Sequence, residues 1–322
     1  GMLFSPAREH CGNILVEQIG FPESILNSDR RRIVQSGTGD IRGFLRPLRK
    51  DDHKGRRGKV LSIAGSRGMA GAAMLCAQAA LRAGAGLVVA ALPGSLEAAL
   101  RNKPFEVMTH PAEDGSTGHF VPDSLHGLKD RLMWADAVAL GPGLGRDPGT
   151  GIFVRALLQA CDKPMVIDAD ALFHLSPVKK SVRFPNSPVL TPHRGEFDRL
   201  FPGHEDMNGQ PLAEALMDLA HRHRCTIHLK GAPSMTSSPA RRVTINGTGN
   251  AGLATGGSGD VLTGITATFL AQGLSPADAM VCAALCHGAA ADIVANRRGL
   301  RGMKAGDVAE ALPAVFRSEA NA

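Results

Sequence analysis

With 322 residues, 43% of them hydrophobic and 20% charged, the chain has the composition of one large globular α/β domain or two small ones, which excludes a disordered or fibrous protein. A formal charge of +6 suits a polyanionic small ligand, while the densest basic run, Asp29 to Arg32, has no aromatic partner, so no nucleic-acid partner is expected. No apolar run reaches the ~18 residues of a membrane span, so no membrane partner is expected either, and six scattered cysteines without a secretory leader fit reduced thiols in a cytoplasmic protein.

Residues 1–48 read as an arm ahead of a single domain over 49–322. Within the arm, Gly12 to Pro22 has the pattern of one strand closed by a turn. The polar, basic stretch that follows to about Arg42 holds too little apolar surface to fold alone. From Lys59 the pattern becomes strand, Gly-rich turn and Ala-rich helix, repeated. Strands are expected at Lys59 to Ala64, Leu87 to Leu92, Ala135 to Leu140, Pro164 to Ile167, Val189-Leu190 and Thr226 to Leu229, with a sandwiched helix at Ala70 to Ala83. Continuous apolar strands alternating with helices imply a parallel sheet covered on both faces, and ligands of such sheets gather where the strands end. Met235 to Ile245 reads as a hairpin around Pro239-Ala240-Arg241. Three helices follow, at about Ser258 to Ala271, Pro276 to Asn296 and Ala305 to Phe316. Cys282, Cys286 and His287 lie in the second of these and read as core side chains, since the further ligand pair of a zinc site is missing.

The sharpest chemical signal is the stretch Asn246 to Asp260, in which Gly256, Gly257 and Gly259 precede an apolar helix. Glycines let backbone approach an anion closely, and a helix start offers unpaired N–H groups and the positive end of its dipole. Gly257, Ser258 and Gly259 therefore make an anion hole. Asp260, in the first turn, can take a hydroxyl proton while those N–H groups stabilise a transferring phosphoryl group. Lys230, at a strand end, is placed for a phosphate contact. His193 follows a strand-ending Thr-Pro and reads as a ligand-facing residue. Asp168 and Asp170 fit turn and capping roles better than a metal pair. No Gly-x-x-x-x-Gly-Lys-Ser/Thr occurs, so this is not a P-loop enzyme.

The chain resembles the ADP/ATP-dependent NAD(P)H-hydrate dehydratases. His53-Lys54-Gly55, Gly65 to Ala72, Gly141 to Gly145, Asp168 to Leu172, Leu190 to Glu196, Leu229 to Ala232 and Thr248 to Asp260 carry the likeness, in the family's order, over roughly residues 50–316. That family is ribokinase-like, so the resemblance implies a three-layer α/β/α sandwich with a mainly parallel sheet and a Gly-x-Gly-Asp loop serving as anion hole and base. It implies a lyase that restores hydrated NADH or NADPH by phosphorylating the ring hydroxyl from ADP or ATP and eliminating phosphate. By the same resemblance Asp260 is the base and touches the hydrated nicotinamide. Gly259 with Lys230, Gly231, Ala232, Pro233 and Ser234 holds the adenine nucleotide. Ala72, the Gly143 to Gly145 turn and His193 line the dinucleotide site, and Glu196 acts through Mg²⁺ or water. A cytoplasmic homo-oligomer, a tetramer, is implied too, and Gly12 to Pro22 is similar to the last strand of the epimerase domain that often precedes this one. A ribokinase-like kinase for a vitamin or sugar hydroxyl would need the same anion hole. A catalytically silent nucleotide-binding regulator would not need the intact Gly-Ser-Gly-Asp loop.

Overall fold

The computed structural model describes residues 2–4, 7–12, 14–17, 19–26, 32–100, 104–184 and 186–320. Its strands are β1 (Ile33–Ser36), β2 (Lys59–Ile63), β3 (Leu87–Pro93), β4 (Val107–Ala112), β5 (Ala137–Leu140), β6 (Met165–Ile167), β7 (Val189–Leu190), β8 (Thr226–Leu229), β9 (Met235–Ser237) and β10 (Val243–Asn246). Its α-helices are α1 (Glu23–Leu26), α2 (Ile41–Phe44), α3 (Ala70–Arg82), α4 (Ser124–Trp134), α5 (Pro148–Ala160), α6 (Ala169–Leu175), α7 (Arg194–Leu200), α8 (Gly209–His223), α9 (Ser258–Ala271), α10 (Pro276–Arg298) and α11 (Ala305–Ala320).

The strands form one sheet in the order β1-β10-β9-β8-β7-β6-β5-β2-β3-β4. Pairing is parallel except where β9 runs antiparallel to both β8 and β10. The apolar runs that read as strands are buried on both faces, as a parallel sheet between helical layers requires: Val60, Leu61 and Ile63 of β2 are all inaccessible to solvent. One face packs against α3, α9, α10 and α11, the other against α4 to α8, giving two apolar cores separated by the sheet. This is the expected three-layer architecture.

The helix carrying the Gly-rich loop is the most deeply set. Along α9 Val261 to Leu270 are buried without a break. Two of its threonines meet that environment by returning their hydroxyls to carbonyls one turn back, Thr266 to Leu262 at 2.8 Å and Thr268 to Gly264 at 3.0 Å. Gly264 lets α3 approach: a Cβ there would stand 2.1 Å from the Cys76 carbonyl oxygen. α10 is long and apolar enough to cross a membrane by length and composition alone, but 78% of its apolar window is buried inside the fold. Cys282, Cys286 and His287 belong to that buried surface, and no group of three metal-ligating side chains occurs among the described residues.

Two readings of the N-terminal segment change. The strand expected at Gly12 to Pro22 does not form among the described residues of that span; Leu15, Val16 and Ile19 are instead 79–87% exposed, with no partner strand to bury alternate side chains. Asn13, Gln18 and Asp29 to Arg31 lie outside the described residues. The segment's strand is β1, within the stretch that read as polar linker, and it pairs in parallel with β10 from Ile33↔Val243 to Ser36↔Asn246. α2 follows and seats Ile41 fully in the core beside α10.

Candidate active site

β5, β6, β7 and β8 all end at one edge of the sheet, and each hands the chain to a loop that carries polar or glycine-rich sequence. The N-terminus of α9 arrives at the same edge. Gly257 caps it with φ +87°, the left-handed region in which a side chain is strained, and a Cβ there would fall 2.5 Å from Leu75 of α3. The first intrahelical bond runs from the Val261 N–H to the Gly257 carbonyl at 3.1 Å, so the peptide N–H groups of Gly259 and Asp260 precede the helix ladder and are directed out of its end.

Asp260 sits half-buried in that first turn, and its carboxylate has no hydrogen-bond or ion-pair partner among the described residues. Burial, reinforced by the negative charge of Asp168, pushes its pKa up to about 7; the Lys230 ammonium pulls the other way, and Asp170 adds a further upward push. A carboxylate held near neutrality with free lone pairs has the properties of a general base.

Beside it lies an ion pair. Lys230 Nζ donates to Asp168 Oδ1 at 2.7 Å, and Thr263 of α9 donates to Asp168 Oδ2 at 2.8 Å. Asp168 is 1% exposed and, although it stands at the start of α6, it makes none of the cap bonds expected of it; its carboxylate is taken up by Lys230 and Thr263 instead. Burial alone would lower the Lys230 pKa, but the charges of Asp168 and Glu196 more than offset this and raise it. The ammonium stays charged against the anion hole: a Cβ on Gly259 would be 3.3 Å from Lys230 Nζ.

His193 and Glu196 form a reciprocal cap on α7. The His193 N–H donates to Glu196 Oε2 at 2.8 Å, and the Glu196 N–H donates to His193 Nδ1 at 3.3 Å. His193 keeps its ring 60% exposed at the strand-end edge, while Glu196 Oε2 lies 3.9 Å from Lys230 Nζ. Burial raises the Glu196 pKa, Lys230 opposes that, and Asp168 adds to it. Asp170 has the expected turn role, accepting from the Gly145 N–H at 3.0 Å and from Arg146 at 3.3 Å.

The remaining residues singled out in the sequence fall around this centre. Gly143, at φ +60°, packs on Ala72, to which a Cβ would approach within 2.9 Å. Gly231 and Ala232 are exposed, and Pro233 and Ser234 half-buried, in the turn from β8 to β9. Ser258 Oγ is 3.4 Å from the buried His287 Nε2, whose pKa is pushed down to about 4 by burial and by Lys230. A cavity of about 560 Å³ opens beside Thr255 and Gly256, walled by Leu75 and Gln78 on one side and Lys304 and Glu310 on the other. Sequence reasoning missed Thr263 and the true engagement of Asp168. The Asp of Asp168-Ala-Asp170 at a strand end was a signal, but its partner Lys230 is 62 residues away in sequence and only the sheet order joins them.

The sheet and its two helical layers define a ribokinase-like α/β fold: a ribokinase-like superfamily protein from Enterococcus faecalis superposes with a TM-score of 0.77 over 94% of this chain and 99% of its own, at 24% identity. A sequence profile of the NAD(P)H-hydrate dehydratases matches residues 60–314, and the chain belongs to that family. The ADP/ATP-dependent NAD(P)H-hydrate dehydratase of Bacillus subtilis, co-crystallised with ATP and Mg²⁺, gives a TM-score of 0.75 at 27% identity, covering 89% of this chain and 98% of that one. The bifunctional NAD(P)H-hydrate repair enzyme Nnr of Moorella thermoacetica is 40% identical over 99% of this chain, and the one of Escherichia coli is 35% identical over 99%. The chain spans only about three-fifths of the length of these relatives, 60% and 59% respectively.

Proposed function

We propose that the protein converts hydrated NADH or NADPH back to the reduced cofactor at the expense of ADP or ATP. The observation that carries this is Asp260: a partnerless carboxylate with its pKa near 7, in the first turn of a glycine-capped helix start. In the reaction, Asp260 takes the proton of the ring hydroxyl as that oxygen attacks the terminal phosphorus. The bond from phosphorus to the nucleotide's bridging oxygen breaks, and the N–H groups at the helix start that no carbonyl takes up, those of Gly257 and Gly259, receive the developing charge, while the Ser258 N–H is held by the Thr255 carbonyl at 3.3 Å. Loss of the new phosphate ester with a ring proton then restores the ring double bond.

Lys230, with the Gly231 to Ser234 turn and Gly259, holds the nucleotide phosphates. Ala72, Gly143, Gly145 and His193 line the dinucleotide side. Mg²⁺ fits this donor set through water: Glu196 is one half-buried carboxylate already engaged in a cap, which suits contact with a hydrated ion carried on phosphates. Bound there, the ion would neutralise phosphate charge. The same reading includes a cytoplasmic homotetramer acting on small molecules, with no nucleic-acid or membrane partner.

Mixing the protein with hydrated NADH and ADP or ATP should return absorbance at the NADH band. Accumulation of a stable phosphate ester without that return would make the protein a kinase instead. Sedimentation in solution tests the tetramer.

A further inference from the structure

We infer that Asp168 is a positioning residue for the nucleotide-dependent reaction proposed above, holding the Lys230 ammonium against the first turn of α9. Its carboxylate spans two elements. Oδ1 accepts from Lys230 at the end of β8, and Oδ2 accepts from Thr263, one helical turn beyond Asp260. Both ends of the pair touch the anion hole, since a Cβ on Gly259 would stand 3.3 Å from Lys230 Nζ and 3.4 Å from Asp168 Oδ2.

An ammonium has three N–H donors on a flexible four-carbon stem. Asp168 uses one of them, and Glu196 Oε2, at 3.9 Å, is beyond hydrogen-bond reach. Two donors are thus left for phosphate oxygens, on a nitrogen whose position Asp168 fixes. Without that bond the stem is free to carry the ammonium towards Glu196 and away from Gly259. A carboxylate buried this completely is costly unless paired, and here its pairing lies at the strand ends where the reaction is placed.

The arrangement also has an electrostatic signature. The ionisable groups acting on Asp260 are Asp168 and Asp170 from the β6–α6 segment and Lys230 from the end of β8, and Asp260 in turn acts on Cys76 of α3. Asp168 raises and Lys230 lowers the pKa of Asp260, so removing either charge moves it in opposite directions.

The test compares Asp168→Asn, Lys230→Met and the double variant. ATP and ADP affinities are read by calorimetry, and the pH dependence of turnover is read with hydrated NADH. Asp168→Asn should weaken nucleotide binding about tenfold and move the acid limb of the rate profile to lower pH; Lys230→Met should move that limb to higher pH. The double variant should bind nucleotide no more weakly than Lys230→Met alone, because Asp168 acts through Lys230. It leaves no buried charge unpaired, so it carries the comparison even if Asp168→Asn fails to fold. Wild-type nucleotide affinity with an unmoved acid limb in Asp168→Asn, or additive losses in the double variant, would overturn the inference. A wild-type protein that binds ATP without restoring NADH would sink the proposed dehydration and leave the Asp168–Lys230 coupling to be judged by calorimetry alone.

Discussion

Asp260 is a group whose environment works against its own ionisation, and this has consequences for both rate and stability. Asp260→Asn should lower turnover by ~10²–10⁴, the usual worth of a general base, while nucleotide still binds, because the N–H groups of the helix start remain. Calorimetry with ATP beside a turnover assay checks the separation. In the wild type the base acts only when ionised, so the rate should climb with pH through about 7, where Asp260 titrates. The stability effect has the opposite sense. The folded-state pKa is raised above the ordinary carboxylate value of 3.8, so the folded protein holds the proton more tightly than the unfolded chain, and stability is lost as pH rises from about 4 through about 7. Asp260→Asn removes the charged form. Its melting temperature should therefore exceed the wild type's at pH 8, with the gap closing below pH 4. A variant less stable than wild type at pH 8 would mean that Asp260 makes a stabilising contact when ionised.

At the scale of elements, the start of α9 depends on two glycines for different reasons. Gly257 needs its positive φ, and Gly257→Val would strain the backbone by roughly 1–2 kcal/mol and press on Leu75. Its effect should fall on the site, weakening nucleotide binding and turnover together. Gly264, well inside α9, needs closeness rather than conformation. The Cβ of Gly264→Ala would meet the Cys76 carbonyl, so α3 and α9 must part, at a cost of about 1–3 kcal/mol or more. That should appear in a denaturation midpoint, with Asp260 chemistry preserved at temperatures where the fold persists. The first glycine was legible in the sequence because it stood in a dense Gly-rich loop before an apolar run. The second was not, since nothing in Val261 to Leu270 says which face meets another backbone. The same contrast runs through the site. Lys230, His193 and Asp260 each announce themselves by their place after a strand or before a helix. The bonds that organise the site run from Lys230 through Asp168 to Thr263, between β8, the end of β6 and α9, and are decided by sheet order, which local pattern does not encode.

For the molecule as a whole, the N-terminal segment decides how much chain the fold needs. Period and polarity misplaced its strand. Gly12 to Pro22 has the apolar residues but no neighbour to pair with among the described residues, whereas Ile33–Ser36 is short and flanked by polar residues, yet finds the free edge of β10. Removing residues 1–31 takes away a stretch whose described residues are mostly exposed, with the partly buried Leu3 and Phe4 at the margin of the core on the α4 to α8 face, so the melting temperature should stay within a few degrees of the intact chain. Removing residues 1–45 is different. It deletes β1, Ile41, and the partly buried Phe44 and Leu45 that pack on the α9–α10 core. Burying Ile41 alone contributes ~1.5–3 kcal/mol, and in a domain of this size each kcal/mol corresponds to about 2–4 °C, so the loss should be at least ~3 °C. It also strips β10 of its parallel partner and exposes a row of unpaired N–H and C=O groups, a template for association with other chains. The longer deletion should therefore melt earlier and elute as aggregate on size exclusion, while the shorter one remains well folded with its turnover intact. Equal behaviour of the two truncations would mean that β1 and α2 dress the sheet edge without supporting it.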